Sequence, residues 1–260
     1  VYLATDDVNL NEKGFDENWA SLKAEFNYDD TRNVGLNLYY GTRYKIFGEY
    51  YQLLDEDTRN MVVLGADFRH YTRIHRTFIW ANRFAASTSF GQNKLIYYMG
   101  GVDTWLFPKF NQETPIDYSQ NYRYQTLATN MRGFNQNIRN GNSFAVINSE
   151  LRFPVFRYFF NRPIKSDFLN NFQIVTFGDI GTAWNGWNPY SKDNILYQRT
   201  VDKGPLHIEY EIEKEPIVAG VGFGLRSRIL GYFVRADWAW GIEDGILGDN
   251  IFYVSLSLDF

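Results

Sequence analysis

The sequence contains no cysteine, so it can form neither a disulfide framework nor a thiolate metal site. It also lacks an apolar run of about 18 residues, the minimum for a membrane-spanning helix. The 26 Lys and Arg residues do not outnumber the 30 Asp and Glu residues, which argues against a nucleic-acid-binding surface. A membrane β-barrel is still allowed, because barrel strands alternate apolar and polar residues and never form a continuous apolar run.

Catalytic and cofactor signatures are missing as well. His70, His75 and His207 have no spacing typical of metal ligands, and no P-loop, serine elbow or His-Glu-x-x-His segment is present. The sequence starts at Val1 without a basic and apolar leader, so we expect any signal peptide to be removed or to lie outside this sequence. We expect no enzyme, no metal site and no cofactor.

Aromatic residues, in contrast, are abundant: 22 Phe, 19 Tyr and 7 Trp make up 18% of the chain. A membrane barrel uses such residues in the two girdles that meet the bilayer interfaces. The aromatic content therefore favours a barrel over an ordinary soluble domain.

Apolar and polar residues alternate with a period of two along much of the chain, as in strands with one apolar face. The last segment places five apolar residues on one face, namely Phe252, Val254, Leu256, Leu258 and Phe260. The same pattern predicts nine strands, at 17–29, 43–54, 61–71, 77–91, 143–154, 170–184, 216–227, 231–241 and 250–259. Residues 1–6 are a candidate for the end of one more strand.

In each predicted strand the second face carries charges and glycines. A soluble sandwich would turn that face to solvent, whereas a membrane barrel turns it to the lumen and its apolar face to lipid. The strands are about as long as a tilted strand must be to cross a bilayer, and their connections alternate between short (72–76, 228–230) and long (92–142, 185–215). We therefore predict an all-β fold, a transmembrane antiparallel barrel.

The number of strands leaves two alternatives. Single-chain bacterial barrels have even strand counts, and an open sheet edge is not tolerated in lipid. Either a tenth strand closes a small barrel, or residues 1–260 are the C-terminal region of a larger one; we favour the second. The polar connection 92–142 is too long for a structureless loop, which indicates a function for it.

This long connection contains an Arg-Gly-aromatic segment, Arg132-Gly133-Phe134, which can present a guanidinium at the tip of a tight turn. Taken alone, the segment is also compatible with an ordinary surface turn. Glu150 and Asp179 favour a functional loop over a surface turn, because they lie on the polar faces of consecutive predicted strands. Since buried carboxylates need partners, a loop folded into the lumen would bring Arg132 to both.

The sequence here resembles the bacterial surface antigen superfamily of outer-membrane assembly and translocation barrels, typified by BamA and TamA. Five segments carry the resemblance in the expected order: Tyr28-Asp29-Asp30-Thr31-Arg32 with Gly41-Thr42-Arg43, Met131-Arg132-Gly133-Phe134, Glu150-Leu151-Arg152-Phe153-Pro154, Gly178-Asp179-Ile180-Gly181-Thr182-Ala183-Trp184, and the aromatic C-terminus. Each motif alone is weak, but their combination spans about residues 17–260.

The resemblance implies a barrel of roughly sixteen strands in the outer membrane of a Gram-negative-type bacterium. It implies that Arg132, with Gly133 and Phe134, is anchored in the lumen by Glu150 and Asp179. Three wall glycines would give the loop a flat surface, namely Gly220, Gly222 and Gly224. The residues of the last apolar face, ending at Phe260, would form the signal that barrel-assembly machinery reads.

The resemblance also implies partners: the bilayer with its lipopolysaccharide, unfolded outer-membrane proteins and accessory lipoproteins, but no nucleic acid. Two departures stand out. No periplasmic domain precedes the barrel in this sequence, and the predicted last strand lacks the glycine kink of the family. Two other functions stay open, a diffusion channel plugged by 92–142 and a membrane anchor or exporter for an upstream domain.

Overall fold

The computed structural model describes residues 18–54, 59–160, 162–191, 194–203, 206–211, 214–258 and 260. Residues 1–6, a candidate for a further strand end, lie outside these ranges. The fold is all-β and is dominated by one large antiparallel sheet, which confirms the predicted fold class at this level.

Fifteen strands are present in the described residues. They are β1 (Trp19–Asp29), β2 (Arg32–Gly35), β3 (Leu38–Leu53), β4 (Asn60–His75), β5 (Phe78–Gly91), β6 (Lys94–Met99), β7 (Tyr122–Leu127), β8 (Arg139–Gly141), β9 (Ser143–Phe153), β10 (Gln173–Trp184), β11 (Gln198–Lys203), β12 (Leu206–Glu211), β13 (Val218–Ile229), β14 (Tyr232–Glu243) and β15 (Ile246–Ser255). Two short helices follow β9, namely α1 (Val155–Phe159) and α2 (Asp167–Asn171).

Nine of these strands form an antiparallel meander in the order β1-β3-β4-β5-β9-β10-β13-β14-β15, and β2 pairs with β3. All nine strands predicted from the period of two are present. Within the described residues, β1 and β15 are the two edges of the meander and do not pair with each other. The short turns at 76–77 and 230–231 lie at one end of the sheet, and the connections 92–142 and 185–217 leave from the other end.

The two faces of the meander differ in the way the alternation predicts. The outer face exposes large apolar side chains on strands from both halves of the sheet, among them Leu22, Phe68, Phe84, Leu151, Ile180, Phe223 and Phe252. The inner face carries most of the charged and small residues, and the connection 92–142 covers much of it. An apolar surface of this extent is unusual for a soluble monomer.

The connection 92–142 has its own structure. β6 lies between β7 and β8, pairing parallel with the first and antiparallel with the second. Met99, Met131 and Phe134 of this segment form a buried cluster with Val146 and Val218 of the inner face. The segment is therefore docked onto the sheet by apolar packing on the side of β9, β10 and β13.

The end of the chain differs from its prediction. β15 runs from Ile246 to Ser255 rather than over 250–259, so it includes Gly248. Phe260 does not share the exposed face of Phe252; its side chain is buried against Tyr71 and the neighbouring strands. The Arg152 guanidinium lies 4.8 Å from the Phe260 ring centre, and this contact together with apolar burial favours the inner position.

Other differences concern connections. The prediction missed β2, both helices and the five strands inside the long connections, namely β6, β7, β8, β11 and β12. β3 begins at Leu38 rather than at residue 43, and β4 continues to His75, so the predicted turn at 72–76 is mostly strand. The helices are only one turn long, and strongly aromatic segments of this kind show no clear helical period. No helix in the described ranges is long and apolar enough to cross a membrane.

Candidate functional site

The site is centred on Arg132, at the tip of the connection 92–142. The turn is anchored by antiparallel pairing of Met131 with Gly101. Gly133 follows with a positive φ of 95°, which glycine adopts at low cost, and an added Cβ there would meet the Trp240 carbonyl at 2.7 Å. The backbone is thus pressed against β14, and the Arg132 side chain points into the wall between β9 and β10.

Arg132 binds both carboxylates that the sequence motif indicated. Its Nε and Nη2 donate to Oδ2 and Oδ1 of Asp179, each at 2.6 Å, in a bidentate pair. Its Nη1 donates to Oε1 of Glu150 at 2.5 Å. The Arg132 backbone N–H donates to Oδ2 of Asp179 at 3.1 Å, so both the side chain and the turn are fixed by the same carboxylate.

The Arg132 guanidinium is fully enclosed, with a side-chain exposure of 1%. It lies 3.6 Å from the centre of the Phe177 ring, which covers one of its faces. Burial alone lowers the pKa of Arg132, but the adjacent charges of Asp179 and Glu150 outweigh it and raise that pKa above its usual value. Arg132 therefore stays charged and paired.

Glu150 is the hub of a larger network. Besides Arg132, it accepts hydrogen bonds from Arg226 at 2.7 and 2.9 Å and from Arg152 at 2.7 Å. Arg235 lies 3.8 Å away and also pairs with Asp237 at 3.5 Å. These side chains come from β9, β13 and β14, so a single carboxylate ties three strands and the loop together.

A second contact fixes the residues after Arg132. The Gly133 N–H donates to the Tyr253 hydroxyl at 3.0 Å, and this hydroxyl donates to the Phe134 carbonyl at 2.8 Å. Tyr253 lies on β15, so the loop is also fastened to the edge strand. The amide of Asn148 adds a further tether, because it donates to the Asn130 carbonyl and to Asp179 at 2.9 and 2.8 Å.

Of the three wall glycines, Gly220 is the one whose added Cβ would collide with the loop, at the Arg132 carbonyl. A Cβ on Gly222 would first meet the Trp238 carbonyl and the Phe177 ring, and one on Gly224 would meet the Asp237 carboxylate. Gly220 therefore lies directly against the loop, whereas the atoms nearest to Gly222 and Gly224 belong to the wall itself. Gly241 of β14 also lies against the loop, at the Phe134 ring.

The residues expected to form a C-terminal signal divide into three groups. Phe252 and Val254 lie on β15, whereas Leu256 and Leu258 follow the strand and are exposed. Phe260 is buried on the inner side, as described above.

Sequence reasoning gave no role to Arg152, Arg226, Arg235 or Asp237, although each lies on a polar strand face. The alternation showed that they face inward, but their pairing with Glu150 depends on the strand register. Register places Asp179 opposite Asn148 and Gly220, and Gln173 opposite Arg226. Register could not be obtained from the pattern of a single strand.

The chain matches no model of a protein family, and no curated protein matches it.

Proposed function

We propose that this chain is the C-terminal part of an outer-membrane barrel that inserts or translocates other polypeptides, as its motifs suggest. The observation that carries this proposal is the anchoring of Arg132 by Asp179 and Glu150. In the superfamily that the sequence resembles, an Arg-Gly-aromatic loop pairs with acids of the barrel wall. The same three residues meet here in a buried network that links the loop to β9, β10, β13 and β14.

The polarity of the sheet supports a membrane location. The outer face is apolar from β1 to β15, while charges such as Glu150 and Asp179 are buried on the inner face. A bilayer is the environment that this arrangement fits, since lipid meets apolar side chains and the lumen accommodates charges. Closure of the sheet would come from further strands ahead of β1, as in a larger barrel, with β15 at the seam.

The edge strand β15 supports a role in polypeptide insertion. Near its end, the Val254 carbonyl accepts a hydrogen bond of 2.9 Å from the Leu106 N–H, and Trp105 bridges to Ser255. This edge therefore accepts an additional extended backbone. Towards its start, β15 is exposed, and its register with β14 shifts between Trp240 and Ile242, where pairing is weaker. A client strand would add at this edge by β-augmentation.

The proposal is tested by reconstituting the full chain into phosphatidylcholine vesicles and adding an unfolded outer-membrane barrel. Client folding is measured by the altered migration of the folded barrel on unheated gels. It should be faster than in empty vesicles. Arg132→Lys should reduce this acceleration, and Arg69→Lys, a change of the same kind in the pair with Asp67, should not. Integration of the chain without any acceleration of client folding would contradict the proposal.

One observation favours a second candidate, a diffusion channel. An open depression of about 420 Å³ lies over the polar residues of β1, β3 and β4, including Asp29, Arg43 and Asp67. Steady, ion-selective conductance in planar bilayers would support the channel. Small and erratic conductance would favour the assembly barrel.

A further inference from the structure

The connection between β9 and β10, residues 154–172, carries α1 and α2 and is called here the helical connection. It lies at the end of the sheet that also holds the turns 76–77 and 230–231. Its sequence is rich in aromatic residues, yet the charge network and the loop 92–142 do not use it. Its structure therefore needs a separate explanation.

The helical connection is held firmly in place. Arg157 donates to the Val34 carbonyl of β2 at 2.8 Å, and Tyr158 bonds to His75 at 2.9 Å and accepts from Arg76 at 3.1 Å through its carbonyl. On the other side, the Ser227 hydroxyl donates to the Phe168 carbonyl at 2.7 Å. Three separate elements of the sheet thus hold this segment in a defined position.

Despite this anchoring, the segment exposes large apolar side chains. Phe159 and Phe160 are 65% and 60% exposed, and Phe168 is 43% exposed. Single exposed apolar residues are normal on the surface of a soluble protein. A cluster of aromatic rings held in a fixed position is not, because it exposes a contiguous apolar patch to water. The cluster therefore indicates an apolar or interfacial surrounding.

The exposed rings continue the apolar outer face of the sheet. Phe159 contacts Phe153 with ring centres 5.9 Å apart, and Phe153 in turn contacts Phe78 of β5 at 5.6 Å. Phe168 contacts Phe172, and Ile174, two residues further along the chain, is exposed on the outer face. The rings thus form the border of the surface that faces lipid in the proposed membrane placement.

Basic residues accompany these rings. Within the helical connection, Arg157, Arg162 and Lys165 are basic and Asp167 is the acidic residue. Arg162 and Lys165 are exposed, and Arg76, which contacts Tyr158, is exposed as well. Aromatic rings beside exposed cations match the boundary of an anionic leaflet, where rings sit at headgroup level and cations meet phosphates.

We propose that the helical connection docks into the phospholipid interface and selects anionic headgroups through Arg162 and Lys165. The inference rests on the membrane placement of the proposed function and adds to it a specific lipid contact on one side of the bilayer. Near an anionic surface, each basic residue contributes about a fivefold gain in affinity (~1 kcal/mol). Loss of both cations should therefore remove most of the headgroup preference.

The absence of cysteine makes a single-site label possible. A polarity-sensitive fluorophore is attached to Phe160→Cys in the full chain, reconstituted into phosphatidylcholine vesicles containing phosphatidylglycerol. Two matched positions serve as controls: Phe223→Cys on the outer face and Trp187→Cys in the connection that leaves the opposite end of the sheet, fully exposed. The label at position 160 should emit at a shorter wavelength than the label at position 187. Lipids that carry a quencher near the headgroup should quench the fluorescence of the label at 160.

The headgroup preference is measured with spin-labelled phosphatidylglycerol and spin-labelled phosphatidylcholine. Quenching at position 160 should be stronger with the anionic lipid, and the double variant Arg162→Glu/Lys165→Glu should abolish this difference. Lys109→Glu, a charge reversal in the connection 92–142, should leave it unchanged.

Three outcomes overturn the inference in distinguishable ways. A water-like signal at 160 beside a lipid-like signal at 223 refutes the interfacial contact alone. Water-like signals at both positions refute the membrane placement, and with it the proposed function. A lipid-like signal at 160 with equal quenching by both lipids refutes the selection of anionic headgroups.

Discussion

Charged residues line the inner face in both halves of the sheet, but their surroundings differ. On β1 and β3, Lys23 pairs with Glu49 at 2.9 Å while its side chain stays 53% exposed. On β9 and β10, Glu150 and Asp179 are fully buried beneath the loop that carries Arg132. The same alternation thus yields ion pairs of very different energetic weight, because solvent screens the first group and not the second.

The comparison shows what the connection 92–142 contributes. Where this segment covers the wall, desolvation makes each unpaired charge costly, so every carboxylate must keep its partners. Where this segment does not cover the wall, charged side chains remain solvated, and each can be replaced at little cost in stability. Four variants, ordered from the largest expected effect to the smallest, test this distinction.

Glu150→Gln should have the largest effect. The change keeps the shape of the side chain but leaves Arg132, Arg152 and Arg226 facing a neutral amide in a buried site. We expect a loss of about 3–5 kcal/mol in the free energy of unfolding, measured by denaturant titration in detergent. Glu49→Gln, the same change at a partly exposed pair, should cost less than about 1 kcal/mol. Equal losses would remove the distinction between the two halves.

Arg132→Lys tests the geometry of the site. Lysine keeps the charge but cannot form the bidentate pair with Asp179, so we expect a loss of about 2–3 kcal/mol and faster protease cleavage in the connection 92–142. Arg69→Lys removes a bidentate pair with Asp67 where the side chain is 20% exposed, and should cost less than about 1 kcal/mol. An unchanged cleavage rate in Arg132→Lys would show that the guanidinium does not hold the loop.

Tyr253→Phe should have an intermediate effect. It deletes the hydroxyl that joins the Gly133 N–H to the Phe134 carbonyl and leaves both groups buried without it. We expect a loss of about 1–2 kcal/mol. Tyr50→Phe, which deletes an exposed hydroxyl bonded to Gln52, is the control and should leave the unfolding midpoint in place. A larger effect in the control than at Tyr253 would contradict the role assigned to this tether.

Lys23→Met should have the smallest effect. Lys23 is exposed, and its partner Glu49 keeps contact with Tyr51 at 2.6 Å, so we expect no measurable shift of the denaturation midpoint. A marked loss of stability would show that the inner face of β1 is covered in the folded protein, as the other half is.

Much of the fold followed from local patterns. The period of two located all nine strands of the meander, because a strand with unlike faces must alternate whatever it packs against. Strand ends did not follow from it, as β15 and Phe260 show, because contacts with distant residues direct a chain where it leaves a sheet. The helical connection was missed because its two helices are only one turn long. Contacts with Val34, His75 and Ser227 hold it in place, and the Ser166 side chain caps α2 locally.

The sequence by itself determined which residues share a strand face, and it marked Arg132, Glu150 and Asp179 through a motif. It did not determine that Glu150 would pair with Arg152 and Arg226, or that Gly220 and Gly241 would lie directly against the loop. Those contacts depend on the register between β9, β10, β13 and β14 and on the path of the connection 92–142. Only the tertiary structure decides them, because alternation fixes the direction of a side chain but not the residue that it meets across the sheet.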